Sequence, residues 1–107
     1  MVDERLSRVL RALRRELIRV LGAQLEAVYL FGSRARGEAA PESDVDVLIV
    51  VRGDLDYPDL IRRTSAVVAA LSLQYDVVIS RAFVSSERFA HEESPFLISV
   101  RREGVPV

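Results

Sequence analysis

The chain contains no cysteine, which excludes disulfides, thiol catalysis and cysteine-bound zinc and leaves the redox compartment open. It contains no lysine either. All fifteen basic residues are arginine, so a Walker A phosphate loop, a Schiff base and a lysyl-nucleotide intermediate are excluded by residue type. Histidine occurs once, at His91, with no acid and serine arranged around it as a hydrolytic triad requires. Asparagine is absent and methionine occurs only at the start. With lysine missing too, a GC-rich genome explains this better than thermal adaptation, because hyperthermophile proteomes gain lysine. No apolar run approaches the roughly 20 residues that span a bilayer, and the first residues are charged and amphipathic rather than a signal peptide. The expected location is cytoplasmic. A formal charge of −1 gives no positive excess for binding nucleic acid.

What is present suits one α/β domain over residues 1–107, a small mixed β-sheet flanked by helices. Leu6, Val9, Leu10, Leu13, Leu17, Val20 and Leu21 recur at helical spacing, with Asp3 as cap, Gly22 as stop and arginines on the remaining face. That arginine face suits either solvent or an acidic partner. Ala27 to Phe31 and Val45 to Val51 read as strands, separated by a short helical turn and a loop over Ser33 to Glu42. Pro58 opens a helix with Leu60, Ile61, Thr64, Val67, Val68 and Leu71 as its buried stripe. Tyr75 to Ser80 reads as a strand parallel to Val45–Val51 across a right-handed crossover. A polar stretch from Ser85 to Ser94 precedes a last helix that opens at Pro95 and ends at Gly104 and Pro106.

Within this frame the acids stand out. Residues two apart on a strand share a face, so Asp44 and Asp46 project together while Val45 and Val47 point the other way. Two adjacent carboxylates repel, and one is pushed toward protonation unless a cation sits between them. Magnesium, which takes a few carboxylates together with water and phosphate oxygens, suits such a pair better than calcium does. Asp76 is expected to start its own strand at the same edge of the sheet, where the turn at Gly32 and Ser33 also arrives. Glycine lets a backbone approach phosphate closely, and Ser33 offers a hydroxyl and an N–H. Arg34 and Arg36 have the guanidinium geometry for phosphate, or equally for solvent. Aspartate-x-aspartate also arises by chance at strand entries, and Tyr29, Tyr57, Tyr75 and His91 fit ordinary core and surface roles.

The segment GSRARGEAAPESDVD, from Gly32 to Asp46, resembles the motif of the minimal nucleotidyltransferases of the DNA polymerase β superfamily: glycine-serine, ten residues, then aspartate-x-aspartate. Tyr75-Asp76-Val77-Val78 resembles that family's third-carboxylate strand, and PFLISVRREGVPV its last helix. The resemblance implies a nucleotidyltransferase fold and transfer of a nucleoside monophosphate from a magnesium-bound nucleoside triphosphate, usually ATP, to an acceptor hydroxyl. It also implies two metal ions held by Asp44 and Asp46, Asp76 beside the second ion, and Gly32 and Ser33 on the triphosphate. Family members of this size commonly act as antitoxins of a helical HEPN-type partner encoded nearby, so the acceptor surface is expected on another molecule. The alternatives are a non-catalytic antitoxin that neutralises its partner by contact and, less well matched to this length, a metal-dependent glycosyltransferase. Oligomeric state is not legible.

Overall fold

The computed structural model describes residues 3–37 and 44–107. Helix α1, Glu4–Leu21, begins where Asp3 accepts a hydrogen bond from the Leu6 N–H at 2.7 Å, and it ends at Gly22. An N-cap carboxylate of this kind satisfies one of the orphan amides of the first turn. The apolar stripe expected for α1 is the face it buries, except that Val20 is only half-buried. A short 3₁₀ turn, Gly22–Gln24, leads into β1, Leu25–Phe31.

Strand β2, Val45–Val51, follows, then helix α2, Tyr57–Tyr75, which starts on the Asp56 cap with Pro58 in its first turn. Strand β3 is Ile79–Ser85, α3 is Ser86–His91, α4 is Pro95–Glu103, and a two-residue β4 covers Val105–Pro106. The sheet order is β3-β2-β1-β4, with β2 and β3 parallel and β1 antiparallel to both β2 and β4. The mixed α/β architecture expected from the sequence is the observed one. Among the described residues no helix is long and apolar enough to cross a membrane.

Helices α1 and α2 cover one face of the sheet, where Val28, Leu30, Val45, Val47, Ile49, Val51, Ile79 and Phe83 are buried. Thr64 is completely buried there because its hydroxyl donates to the Leu60 carbonyl at 2.7 Å and accepts from Arg81 Nε at 2.9 Å. Helices α3 and α4 cover part of the other face through Leu48, Val50, Val84, Leu97 and Val100. Strand β2 is therefore apolar on both sides along most of its length, as a central strand should be. Only its entry, at Asp44 and Asp46, emerges from this cover.

Three expectations need correction. Strand β3 starts at Ile79, not Tyr75, because α2 runs on to Tyr75 and closes through a left-handed cap at Asp76, φ 52° and ψ 52°. The N–H groups of Asp76 and Val77 both donate to the Ser72 carbonyl, which satisfies a helix end that a strand at this point would have left open. The polar stretch after Ser85 holds helix α3, capped by the Ser85 hydroxyl, and the residues expected only to end α4 form β4 against Tyr29 and Leu30. Of the turn and loop expected over Ser33 to Glu42, Ser33 to Gly37 forms turns and residues 38–42 lie outside the described residues.

Candidate active site at the open end of the sheet

Asp46 shares a face with Leu48 and Val50, so its side chain lies on the α3/α4 side of the sheet, beyond the reach of their packing. Asp44, exposed, precedes it by two residues on the same side. Across the antiparallel ladder Asp46 faces Phe31, and across the parallel ladder it faces Ser80. A hydrogen bond from the Val45 N–H to the Val78 carbonyl, 2.8 Å, ties the entry of β2 to the segment before β3.

The turn after β1 reaches the same place. Gly32 has φ +76°, and a methyl group built on it would lie 2.7 Å from Asp46 Oδ2. Only glycine suits that backbone and that approach. Beyond it the Ala35 N–H donates to the Gly32 carbonyl at 3.1 Å and the Gly37 N–H to the Arg34 carbonyl at 3.3 Å, coiling Ser33 to Gly37 beside the carboxylates. Gly32, Ser33, Asp44 and Asp46 are thus brought to one end of the sheet, as expected.

The two arginines part company. Arg34 is buried, and with Asp76, Val77 and Val78 it lines a cavity of about 260 Å³. Arg36 is exposed and pairs with Glu103 of α4 at 3.7 Å.

Burial, and then the charge of Asp44, hold the Asp46 carboxyl above its ordinary range. Among the described residues neither carboxylate has a hydrogen-bond or ion-pair partner within the chain. This is the unresolved repulsion anticipated from the spacing, and a hard cation bound between the carboxylates relieves it. The donor set fits a divalent ion that draws its remaining oxygens from water and phosphate.

Asp76 stands at the end of α2 and, with Val77 and Val78, lines the cavity of Arg34 from the glycine turn. It caps α2, outside the sheet, and among the described residues no three acidic or histidine side chains lie close enough to share an ion. Sequence reasoning missed Ser80, which faces Asp46, and Phe96, whose ring meets Phe31 edge-on at 5.2 Å between centroids. The signal for Ser80 was present in the helical stripe, which continues through Leu71 toward Tyr75 and so delays the strand.

A model of the nucleotidyltransferase domain family matches residues 7–103. Two Methanocaldococcus jannaschii proteins, both assigned by name to the protein adenylyltransferases, are similar in sequence. One is 38% identical over 67% of this chain and 72% of its own length; the other is 41% identical over 62% of this chain and 60% of its own length. The fold is shared with a structure named as a nucleotidyltransferase from Sulfolobus solfataricus, with TM-score 0.56 and 20% identity over 97% of this chain and 86% of that one. It is shared also with a chain of the toxin–antitoxin complex MntA–HpeT, with TM-score 0.56 and 21% identity over 100% of this chain and 72% of that one. A third similar structure, of a toxin–antitoxin with AMP-PNP, has TM-score 0.55 and 22% identity over 88% of this chain and 68% of that one. Since the matched span takes in the glycine turn, both strand-entry carboxylates and the whole sheet except β4, the chain belongs to the nucleotidyltransferase domain family and is a nucleotidyltransferase.

Proposed function

We propose that this domain transfers AMP from magnesium-bound ATP to a hydroxyl on a partner protein, a helical HEPN-type toxin that it restrains. The observation that carries the reading is the contact between turn and carboxylate: the Gly32 backbone lies against Asp46, so phosphate on the turn and a cation on the acid are neighbours. In this reading Asp44 and Asp46 hold magnesium, and Gly32 and Ser33 hold the triphosphate through backbone and hydroxyl groups. Arg34 adds positive charge from the buried side, while Arg36 contributes from the rim. When bound, magnesium supplies charge neutralisation along the triphosphate and on the departing pyrophosphate.

The chain's own residues then orient the α-phosphate. The acceptor oxygen bonds to phosphorus as the bond to the pyrophosphate oxygen breaks, and the hydroxyl proton passes to solvent or a nearby base. Pyrophosphate leaves and AMP remains on the acceptor. Support for a protein acceptor comes from the names of the two archaeal relatives, and support for a toxin partner from the shared fold with the toxin–antitoxin structures.

A second reading, a module that neutralises its partner by contact alone, draws on Asp76 standing at a helix cap and not on a strand. Incubation with ATP labelled at the α-phosphate, magnesium and the HEPN-type protein encoded nearby separates the two. Label on the partner, lost in Asp44→Ala, is the expected result. Inhibition of the partner without label, retained in Asp44→Ala, would establish the contact-only module instead.

A further inference from the structure

Helix α1 carries a charge pattern that neither the core nor the candidate site uses. It holds six arginines against two glutamates, a net +4 in a chain whose total is −1, so the rest of the molecule carries −5. Arg5 and Arg14 are tied to the carbonyls of Tyr75 and Val107, while Arg8 pairs with Glu4 and Arg19 with Glu16. Arg11 and Arg15, both exposed, have no hydrogen-bond or ion-pair partner among the described residues. Arg8, Arg11, Arg15 and Arg19 follow one another at helical spacing and form one outer row. Like charges so spaced destabilise a helix, and a face that met only water would carry both signs.

Beside this row runs an apolar one. Helices α1 and α2 are antiparallel: Arg5 near the start of α1 reaches Tyr75 at the end of α2, and Arg63 of α2 reaches the Val20 carbonyl near the end of α1. Between them lies a groove of about 290 Å³ lined by Ala12, Ala66 and Ala70 and, along its α1 side, by Arg15, Glu16 and Arg19. Leu73, 86% exposed, continues the Ala66–Ala70 row at helical spacing. This surface belongs to the α1/α2 layer, whereas Asp46 lies on the α3/α4 side of the sheet.

We propose that this groove docks an acidic amphipathic helix of a partner protein, with its apolar side chains on Ala66, Ala70 and Leu73 and its carboxylates on Arg8, Arg11 and Arg15. The inference goes beyond the transfer reaction and does not rest on the roles of Asp44 and Asp46. Charge complementarity selects the occupant: guanidinium forks take carboxylates in bidentate pairs, and Arg11 and Arg15 are exposed to receive them. The apolar row narrows it to a helix, whose side chains recur at the spacing of the row itself. Nucleic acid would satisfy the arginines but leave Leu73 and the alanines without a contact, and its phosphates would meet the −5 of the remaining molecule.

The test is fluorescence anisotropy of the whole chain with a labelled synthetic helix that carries leucine along one face and glutamate elsewhere, measured near physiological salt. That helix is expected to bind at least about tenfold more tightly than a peptide of the same composition shuffled to scatter the leucines. Arg11→Glu with Arg15→Glu reverses two exposed charges and is expected to weaken binding at least about tenfold. Arg88→Glu with Arg102→Glu, the same charge change on α3 and α4, keeps it within about twofold. Leu73→Ser, at a position exposed in the fold, weakens it about fivefold. Absence of binding, equal binding of the two peptides, or equal loss in the two double variants would overturn the inference. Displacement of the labelled helix by a short DNA duplex at lower concentration than by unlabelled peptide would give the arginine row to nucleic acid instead. Self-association of the chain alone, seen by sedimentation and abolished by the Arg11 and Arg15 reversals, would give the groove to a second copy and overturn the inference equally.

Discussion

Gly32 and Asp46 are in contact: a methyl on the glycine would sit 2.7 Å from Asp46 Oδ2, closer than any side-chain carbon can stand. Gly32→Ala therefore carries two penalties, the left-handed backbone and the collision. The first costs about 1–2 kcal/mol in denaturant unfolding. The second displaces the carboxylate, and ATP–Mg binding is expected to fall at least about tenfold. Gly53→Ala is the control, since Gly53 has φ +79° with open space around its missing side chain. It should lose similar stability and keep ATP–Mg binding. Equal binding by the two variants in a thermal-shift titration would show that the contact has no part in the site.

The repulsion within the pair sets a pH dependence. Asp46 has a folded-state pKa above its unfolded value, first from burial and then from Asp44. Between those two values the native state binds more protons than the unfolded state, so stability falls as pH rises through that window. Above it the penalty is fully present. Asp46→Asn removes the ionising group and is expected to raise the urea midpoint of the metal-free protein at neutral pH while abolishing nucleotidyl transfer. The same variant should flatten the pH profile above the ordinary carboxylate range. A neutral-pH midpoint below that of wild type would contradict this account.

At Asp76 the penalty lies in the backbone and not in the charge. It is the only non-glycine with positive φ among the described residues, and it closes α2. Aspartate tolerates the left-handed region better than most side chains, yet glycine tolerates it without cost. Asp76→Gly should stabilise the protein by about 0.5–1 kcal/mol, and Asp76→Val, β-branched, should destabilise it by at least about 1 kcal/mol, both read by urea unfolding. A loss of stability in Asp76→Gly would mean that the carboxylate itself holds the fold.

The same residue marks where the sequence stopped being legible. The stripe of α1, the β2 run and the glycine-to-aspartate spacing each follow from local patterning, and each appears as expected. Tyr75 to Ser80 did not, because alternating tyrosine, valine and isoleucine fit a strand as well as the exit from a helix. What decides between them is the need of α2 for a left-handed cap and the distance from that cap to the sheet, both non-local. Helix α3 was hidden for a related reason: it buries no residue completely, so its polar sequence carries no stripe. The short β4 depends on pairing with Tyr29 and Leu30, which no local pattern records.

The two arginines of the glycine turn, equivalent in sequence, should separate in function. Arg36 is exposed and its guanidinium pairs at 3.7 Å with an exposed Glu103, a contact of the kind that contributes little in water. Arg36→Ala is expected to change stability by no more than about 0.5 kcal/mol and ATP–Mg affinity by no more than about twofold. Arg34 is buried and lines the cavity that reaches Asp76 and Val78, next to the entry of β2. A guanidinium held there acts in a lower dielectric, where a charge-assisted interaction with phosphate is stronger than at the surface. Arg34→Ala should therefore weaken ATP–Mg binding about tenfold or more, and Arg34→Met, which restores the apolar stem without the charge, should recover stability but not affinity. Recovery of affinity in Arg34→Met would assign Arg34 to packing, and the positive charge of the turn would then rest on Arg36 despite its pairing with Glu103.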